Sequence, residues 1–148
     1  MTTKYKLNGA TLLLVEDNAA DIRLINEVIQ EIKIVRKLYV VRDGVEAIDF
    51  LKKRGKFSNA TSPDIILLDL NLPKRGGFEV LNEIKEDDNL KIIPVAILTI
   101  SDAEEDIRKA YNLHANCYII KPLEMNEFRR IINSIINFWF KIVQLPNT

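Results

Sequence analysis

Five short apolar runs limit what this chain can fold into. They are 10–15 (ATLLLV), 38–41 (LYVV), 65–68 (IILL), 95–98 (VAIL) and 117–120 (CYII). Each is too short for a helix and is apolar almost throughout, the pattern of a strand buried on both faces. Between the runs lie segments whose apolar residues recur at helical spacing. In 19–33 these are Ile22, Leu24, Ile25, Val28, Ile29 and Ile32; in 44–53 they are Val45, Ala47, Ile48 and Leu51. Asn18 can cap the first helix, and Asp21 suits its positive N-terminal end. After Gly76-Gly77, Phe78, Val80, Leu81 and Ile84 carry a third helix. Ser101-Asp102-Ala103-Glu104 reads as a capping box opening a fourth helix that runs to about Leu113. A fifth is expected over 124–143, and 54–63 reads as a loop. Five strands alternating with five helices predict an α/β chain: one parallel sheet with helices on both faces. The length, 148 residues, suits a single domain, 1–148, with no linker or internal repeat.

In open parallel sheets, ligands bind beyond the carboxyl ends of the strands. Strand one runs into Glu16-Asp17, strand three ends in Asp69, strand four in Thr99 and strand five in Lys121-Pro122. Three carboxylates on one rim repel, by roughly 4 kcal/mol per close pair at a surface-like effective dielectric. A divalent cation would relieve this, and an all-oxygen acidic set suits Mg²⁺. A carboxylate beside such an ion can attack a phosphoryl group and become an acyl phosphate. Thr99 would then offer a hydroxyl and Lys121 a point charge to the phosphoryl oxygens.

Composition excludes several other roles. Lys plus Arg and Asp plus Glu each number 21, so the net charge is zero and no broad basic field exists for nucleic acid. One Cys and one His argue against a disulfide framework and against cysteine or multi-histidine metal centres. No run approaches the ~18 apolar residues of a membrane span. Residues 1–8 lack the apolar core of a signal peptide. The expectation is a cytoplasmic protein that binds neither DNA nor membrane. Two other chemistries start from similar folds. A haloacid-dehalogenase-like phosphatase also uses a strand-end Asp, but wants a second Asp two residues on, where this chain has Asn71. A flavodoxin-like electron carrier wants a phosphate loop after strand one, where this chain has Glu16-Asp17-Asn18. Both are disfavoured.

The acidic pair Glu16-Asp17, the run Asp69-Leu70-Asn71-Leu72-Pro73, Thr99 and Lys121-Pro122 resemble, in order and spacing, the motifs of two-component response-regulator receiver domains. The likeness covers about 10–140. It implies a flavodoxin-like (βα)5 doubly wound sheet with strand order 2-1-3-4-5. It implies that Asp69 accepts a phosphoryl group from a cognate sensor histidine kinase. Mg²⁺ would be held by Glu16, Asp17, Asp69 and the backbone carbonyl of Asn71. Thr99 and Tyr118, the latter in Tyr-x-x-Lys-Pro, would form a switch pair, and the Lys121-Pro122 bond would be cis. Such a domain is a self-phosphorylating switch, not a turnover enzyme. Three positions depart from the commonest pattern. Ile100 replaces a small residue and would narrow access to Asp69. Gly76 replaces an acid. His114 replaces a glycine, and histidine tolerates the left-handed conformation that a helix end there needs.

The ending 138–146 (FWFKIVQLP), the loop 53–63 and the LDLNLPK run are similar to the phytochrome-associated response regulators of cyanobacteria. That resemblance implies no output domain and self-association through the last helix. Helical geometry gives a parallel reading. Phe128, Ile132, Ile136, Trp139 and Val143 share one stripe; Ile131, Ile135, Phe138 and Ile142 form a second beside it. Either both stripes make one wide core face, or the second is a homodimer seam. Cys117 reads as a small core residue, and Lys52, Lys53, Arg54 and Lys56 as a solvated face.

Overall fold

The computed structural model describes residues 10–146. The segment 1–8 and the final residues of the C-terminal extension 138–148 lie outside that range in whole or in part. Strands β1 (Ala10–Val15), β3 (Ile65–Leu68) and β4 (Val95–Thr99) are buried almost throughout and form the middle of one sheet. β2 (Val35–Val41) and β5 (Cys117–Ile120) form its edges. All neighbours pair in parallel, in the order β2-β1-β3-β4-β5, as the receiver resemblance implied. β2 starts three residues before the apolar run because an edge strand is half solvated: Arg36 and Lys37 stand in water while Val35 is buried.

Side chains alternate across the sheet and feed two cores. Leu13, Val15, Ile66, Leu68, Val95 and Ile97 point to one face and pack against α2 (Gly44–Leu51) and α3 (Gly77–Glu86) through Ile48, Leu51, Val80, Leu81 and Ile84. Leu12, Leu14, Ile65, Leu67, Ala96 and Leu98 point to the other. They meet Ile25, Val28 and Ile29 of α1 (Ala19–Ile32) and Phe128, Ile132 and Ile136 of α5 (Met125–Asn137). Each fully buried Leu or Ile contributes about 1.5–3 kcal/mol, so the central strands anchor both layers.

Local signals set most helix ends. Asn18 accepts the Asp21 N–H at 3.0 Å to start α1, and Asp43 accepts that of Glu46 at 2.8 Å to start α2. His114 takes the left-handed conformation, φ 71°, after α4 (Glu104–Asn112), as expected. The capping box is a correction. α4 begins at Glu104 with Ala103 as its uncapped N-cap. Ser101 instead gives its hydroxyl to Asp106 Oδ2 at 2.6 Å, and the Tyr118 hydroxyl holds the Ser101 carbonyl at 2.9 Å, which keeps that segment extended. A second correction concerns the last helix. The α-helical part stops at Asn137, and Phe138–Ile142 form a wider π turn. The extra residue in that turn shifts the facing register, so Phe140 is buried while Phe138 is exposed. A third is the Lys121-Pro122 bond, which is trans, the isomer an X-Pro amide favours by about 0.5–1 kcal/mol.

One glycine has a direct bearing on the strand-end region. A Cβ on Gly77 would lie 2.5 Å from both the Asp69 carbonyl oxygen and Leu70 Cα, both backbone atoms. The Gly77 N–H also donates to the Leu70 carbonyl at 3.1 Å. Helix α3 is therefore seated against the segment carrying Asp69. Gly77→Ala should destabilise the fold by about 2–3 kcal/mol, because overpacking against backbone has no side chain to displace. Thermal unfolding should show a fall of several degrees; an unchanged midpoint would mean that α3 can slide away freely.

Candidate functional site

The register of the central strands builds the rim. Val15 lies beside Leu68, so the residues that follow, Glu16 and Asp69, leave the sheet side by side. Backbone bonds from Glu16 N–H to the Val41 carbonyl and from Asp69 N–H to the Val15 carbonyl, both 3.0 Å, fix these exits. Carboxylate oxygens of Glu16, Asp17 and Asp69 lie within 4.8 Å of one another. Glu16 is 1% exposed and Asp69 is also buried, whereas Asp17 is exposed. Loop N–H groups orient the two buried acids: Asn18 donates to Glu16 Oε2 at 3.2 Å, and Asn71 to Asp69 Oδ1 at 3.1 Å.

Lys121 closes the cluster from the end of β5. Its Nζ donates to Glu16 Oε1 at 2.6 Å, Asp21 Oδ2 at 2.9 Å and Asp69 Oδ2 at 3.0 Å. Its backbone N–H also donates to the Thr99 carbonyl at 2.7 Å, tying the two strand ends together. Burial alone would lower the Lys121 ammonium, but its bonds to Asp21 and Glu16 and the charges of Glu16 and Asp69 outweigh it and push it upward. Lys121 is thus a fixed cation. At Glu16, burial raises the carboxyl; the Lys121 bond pulls it down and Asp69 pushes it up, leaving it at about 7. The site carries more acid than one ammonium can neutralise. Its clustered oxygens, two of them from buried residues, fit a hard divalent cation.

Thr99 is fully buried, and its Oγ1 has no hydrogen-bond partner among the described residues. A buried hydroxyl left unpaired costs about 1–3 kcal/mol, so Thr99 is held ready to donate. Tyr118 lies beside Ile97 on the edge strand, and its hydroxyl donates to the Ser101 carbonyl. It therefore latches the segment after Thr99 without hydrogen-bonding to the Thr99 hydroxyl. Ile100 stands 64% exposed and, with Asp21, Lys121, Leu123, Met125 and Phe128, lines a cavity of about 290 Å³ beside the acids.

Strand ends and motifs pointed to Glu16, Asp17, Asp69, Thr99 and Lys121, and the structure gathers them on one rim. They did not mark Asp21 as part of the site. Its place in the first turn of α1 suggested only a favourable helix-dipole charge, since nothing in the chain links it to a lysine 100 residues away. The second C-terminal stripe divides. Ile135 is buried in this chain's own core and Ile131 packs half-buried against it, whereas Phe138 (46%) and Ile142 (68%) are exposed. Cys117 is half-buried against the same core. The basic run faces solvent in ion pairs, with Lys56 on Glu46 at 3.3 Å and Arg54 on Asp49 at 3.8 Å.

Comparison with known proteins places the chain in a family. The response regulator receiver domain family matches residues 12–133. The chain belongs to that family. It is 45% identical over 135 residues to the response regulator Rcp1 of Synechocystis sp., covering 91% of this chain and 92% of that protein. The crystal structure of the phosphorylated cyanobacterial phytochrome response regulator RcpA superposes with a TM-score of 0.91 at 47% identity, over 94% of this receiver and 99% of that chain. The Mn²⁺-bound form of Rcp1 gives a TM-score of 0.90 at 44% identity, over 93% and 99%. The receiver therefore has a flavodoxin-like fold and an acidic site able to hold a divalent metal. Among its described residues no helix is long and apolar enough to cross a membrane.

Proposed function

We propose that this receiver accepts a phosphoryl group on Asp69 from a cognate histidine kinase, with Mg²⁺, and passes the signal on as a conformational switch read by cytoplasmic protein partners. The carrying observation is the placement of Asp69: a buried strand-end carboxylate within 3.0 Å of a lysine ammonium and beside two further acids. Support comes from the relatives, since RcpA has been crystallised phosphorylated and Rcp1 with Mn²⁺. Glu16, Asp17 and Asp69, with the Asn71 carbonyl, would hold the ion, which when bound neutralises charge on the phosphoryl oxygens. Asp69 forms the new O–P bond as the bond to the donor breaks and the donor leaves with that electron pair. Lys121 steadies the transferred oxygens, and Thr99 satisfies its orphan hydroxyl on them. That pull moves the segment latched by Tyr118 and so alters the surface of α4, β5 and α5. Moving a two-state equilibrium from 1:99 to 99:1 takes about 5.5 kcal/mol of differential stabilisation; a new dianion bound by a cation, a lysine and a threonine is of that order. The domain is a switch and not a turnover enzyme.

The apolar wall of Ile100, Leu123 and Met125, in the cavity that Asp21 and Lys121 also line, suits a helix of the kinase carrying the phosphohistidine. Phosphotransfer profiling against the histidine kinases of the source organism tests this reading. One kinase should label the receiver far faster than the rest, and uniformly slow labelling would count against a dedicated partner. Self-association is placed on the exposed Phe138 and Ile142 of the π turn and the adjacent half-buried Ile131. Phe138→Ser with Ile142→Ser should shift the solution mass at high micromolar concentration from dimer to monomer. A wild-type mass that is already monomeric, with and without phosphorylation, would remove the dimer.

A further inference from the structure

β2 is an edge strand, paired with β1 alone. The Val41 carbonyl accepts the Glu16 N–H, so Val41 turns its backbone groups towards β1. Successive residues of a strand alternate in this direction, so Leu38 and Val40 present their N–H and C=O groups to the open edge. Among the described residues, no backbone bond from a loop or helix reaches either of them. A cavity of about 330 Å³ lies there, and its lining includes Tyr39, Val40, Val41, Phe50, Lys56 and Phe57. Side chains alternate between the faces of a sheet, so a hollow on one face would meet Tyr39 and Val41 but not Val40. Contact with all three consecutive residues places it along the edge itself.

The lining combines two chemistries. Phe50 joins Tyr39 and Phe57 in one aromatic cluster, with ring centroids 4.9 and 5.4 Å apart. The Lys37 ammonium lies 5.4 Å from the centre of the Tyr39 ring, and the Lys56 ammonium 5.2 Å from that of Phe57. Lys56 also pairs with Glu46, whereas Lys37 has no carboxylate partner among the described residues.

We propose that the open edge of β2 binds an extended acidic segment of a partner protein, which pairs with Leu38 and Val40 as a sixth strand, lays an aromatic side chain in the cavity and sets Asp or Glu residues against Lys37 and Lys56. Residues two apart share one face of a strand, so acids two positions before and after the aromatic residue lie on the side of Tyr39. Residues between them face the other way, beside the half-exposed Val40. A second copy of this chain is a poor occupant, because pairing two β2 edges brings the cations Arg36 and Lys37 of both copies onto one seam. The surface shares no residue with the acid rim, so it does not depend on the role of Asp69.

The test titrates the blocked peptide acetyl-Ser-Glu-Val-Phe-Val-Glu-Ser-amide into the intact, isotope-labelled chain. Its amide spectrum should show saturable shifts at Leu38, Val40 and the 56–60 segment. Lys37→Ala with Lys56→Ala should weaken binding about five- to tenfold, the scale of two exposed ion pairs. Both lysines are exposed, so the variant keeps its fold and its melting point. The same peptide with Lys in place of Glu should not bind. Two further peptides are N-methylated, one at Phe and one at both Val residues. Only one of them should lose binding, because alternate N–H groups face β2. Equal binding by both, or equal loss, overturns the added strand. No binding by the parent peptide, or shifts confined to the acid rim or to α4, overturns the site. Hydrocinnamate producing the same shifts as strongly would make this a pocket for a small aromatic acid. Val40 shifts that follow the concentration of the chain alone would make it a contact between copies. Either result overturns the proposal.

Discussion

Asp69→Asn abolishes phosphoryl uptake, by at least about a hundredfold in acetyl phosphate labelling, because a neutral amide oxygen is a poor nucleophile and cannot form the acyl phosphate. Asn keeps the size of the side chain and an oxygen for Lys121, so the fold is preserved and the loss reports chemistry. The same change removes one of the crowded acids next to Glu16. The variant should therefore melt no lower than wild type in the absence of divalent ions. Retained labelling in a folded Asp69→Asn receiver would move the acceptor to another residue and undo the proposed function.

Lys121→Met produces the largest loss of stability expected from a single change at the site. The ammonium is the shared partner of Glu16, Asp21 and Asp69. Removing one member of a buried ion pair costs about 3–5 kcal/mol, and for a chain of this size each kcal/mol lowers the melting point by about 2–4 °C. A fall of roughly 10 °C is expected in chelator. The pH dependence has a definite sign. Burial already holds the Glu16 carboxyl up at about 7, and without Lys121 it rises further. A carboxyl whose folded pKa is raised favours folding below its unfolded pKa, and that contribution is lost as pH rises through the folded value. The deficit of the variant should thus be small near pH 5, where the carboxyl is protonated, and grow above pH 7. Millimolar Mg²⁺ should recover part of it by replacing the missing positive charge. A deficit independent of both pH and Mg²⁺ would mean that Lys121 acts through packing of its stem, not through its charge.

The strands were legible because burial on both faces demands unbroken apolar runs, as in 65–68 and 95–98. β2 was read short because its edge position lets Arg36 and Lys37 face water, which breaks the apolar run without breaking the strand. The capping box at Ser101 has the right letters, yet Asp106 and Tyr118 hold that segment out of the helix. Stripes on α5 fixed which residues are apolar but not how far the α-helical period continues. The π turn decided that Phe140 is buried and Phe138 exposed.

For this protein, residue order alone determined the doubly wound sheet and the set Glu16, Asp17, Asp69, Thr99 and Lys121. Strand burial and strand-end chemistry are written in runs and in the residues that follow them. Tertiary structure decided how those groups share their partners. It placed Asp21 on Lys121, left Thr99 Oγ1 without a hydrogen-bond partner among the described residues and turned Tyr118 to Ser101. Hydrogen bonds among distant side chains depend on ångström-scale placement by several packed elements at once, and no local pattern in the chain encodes that distance.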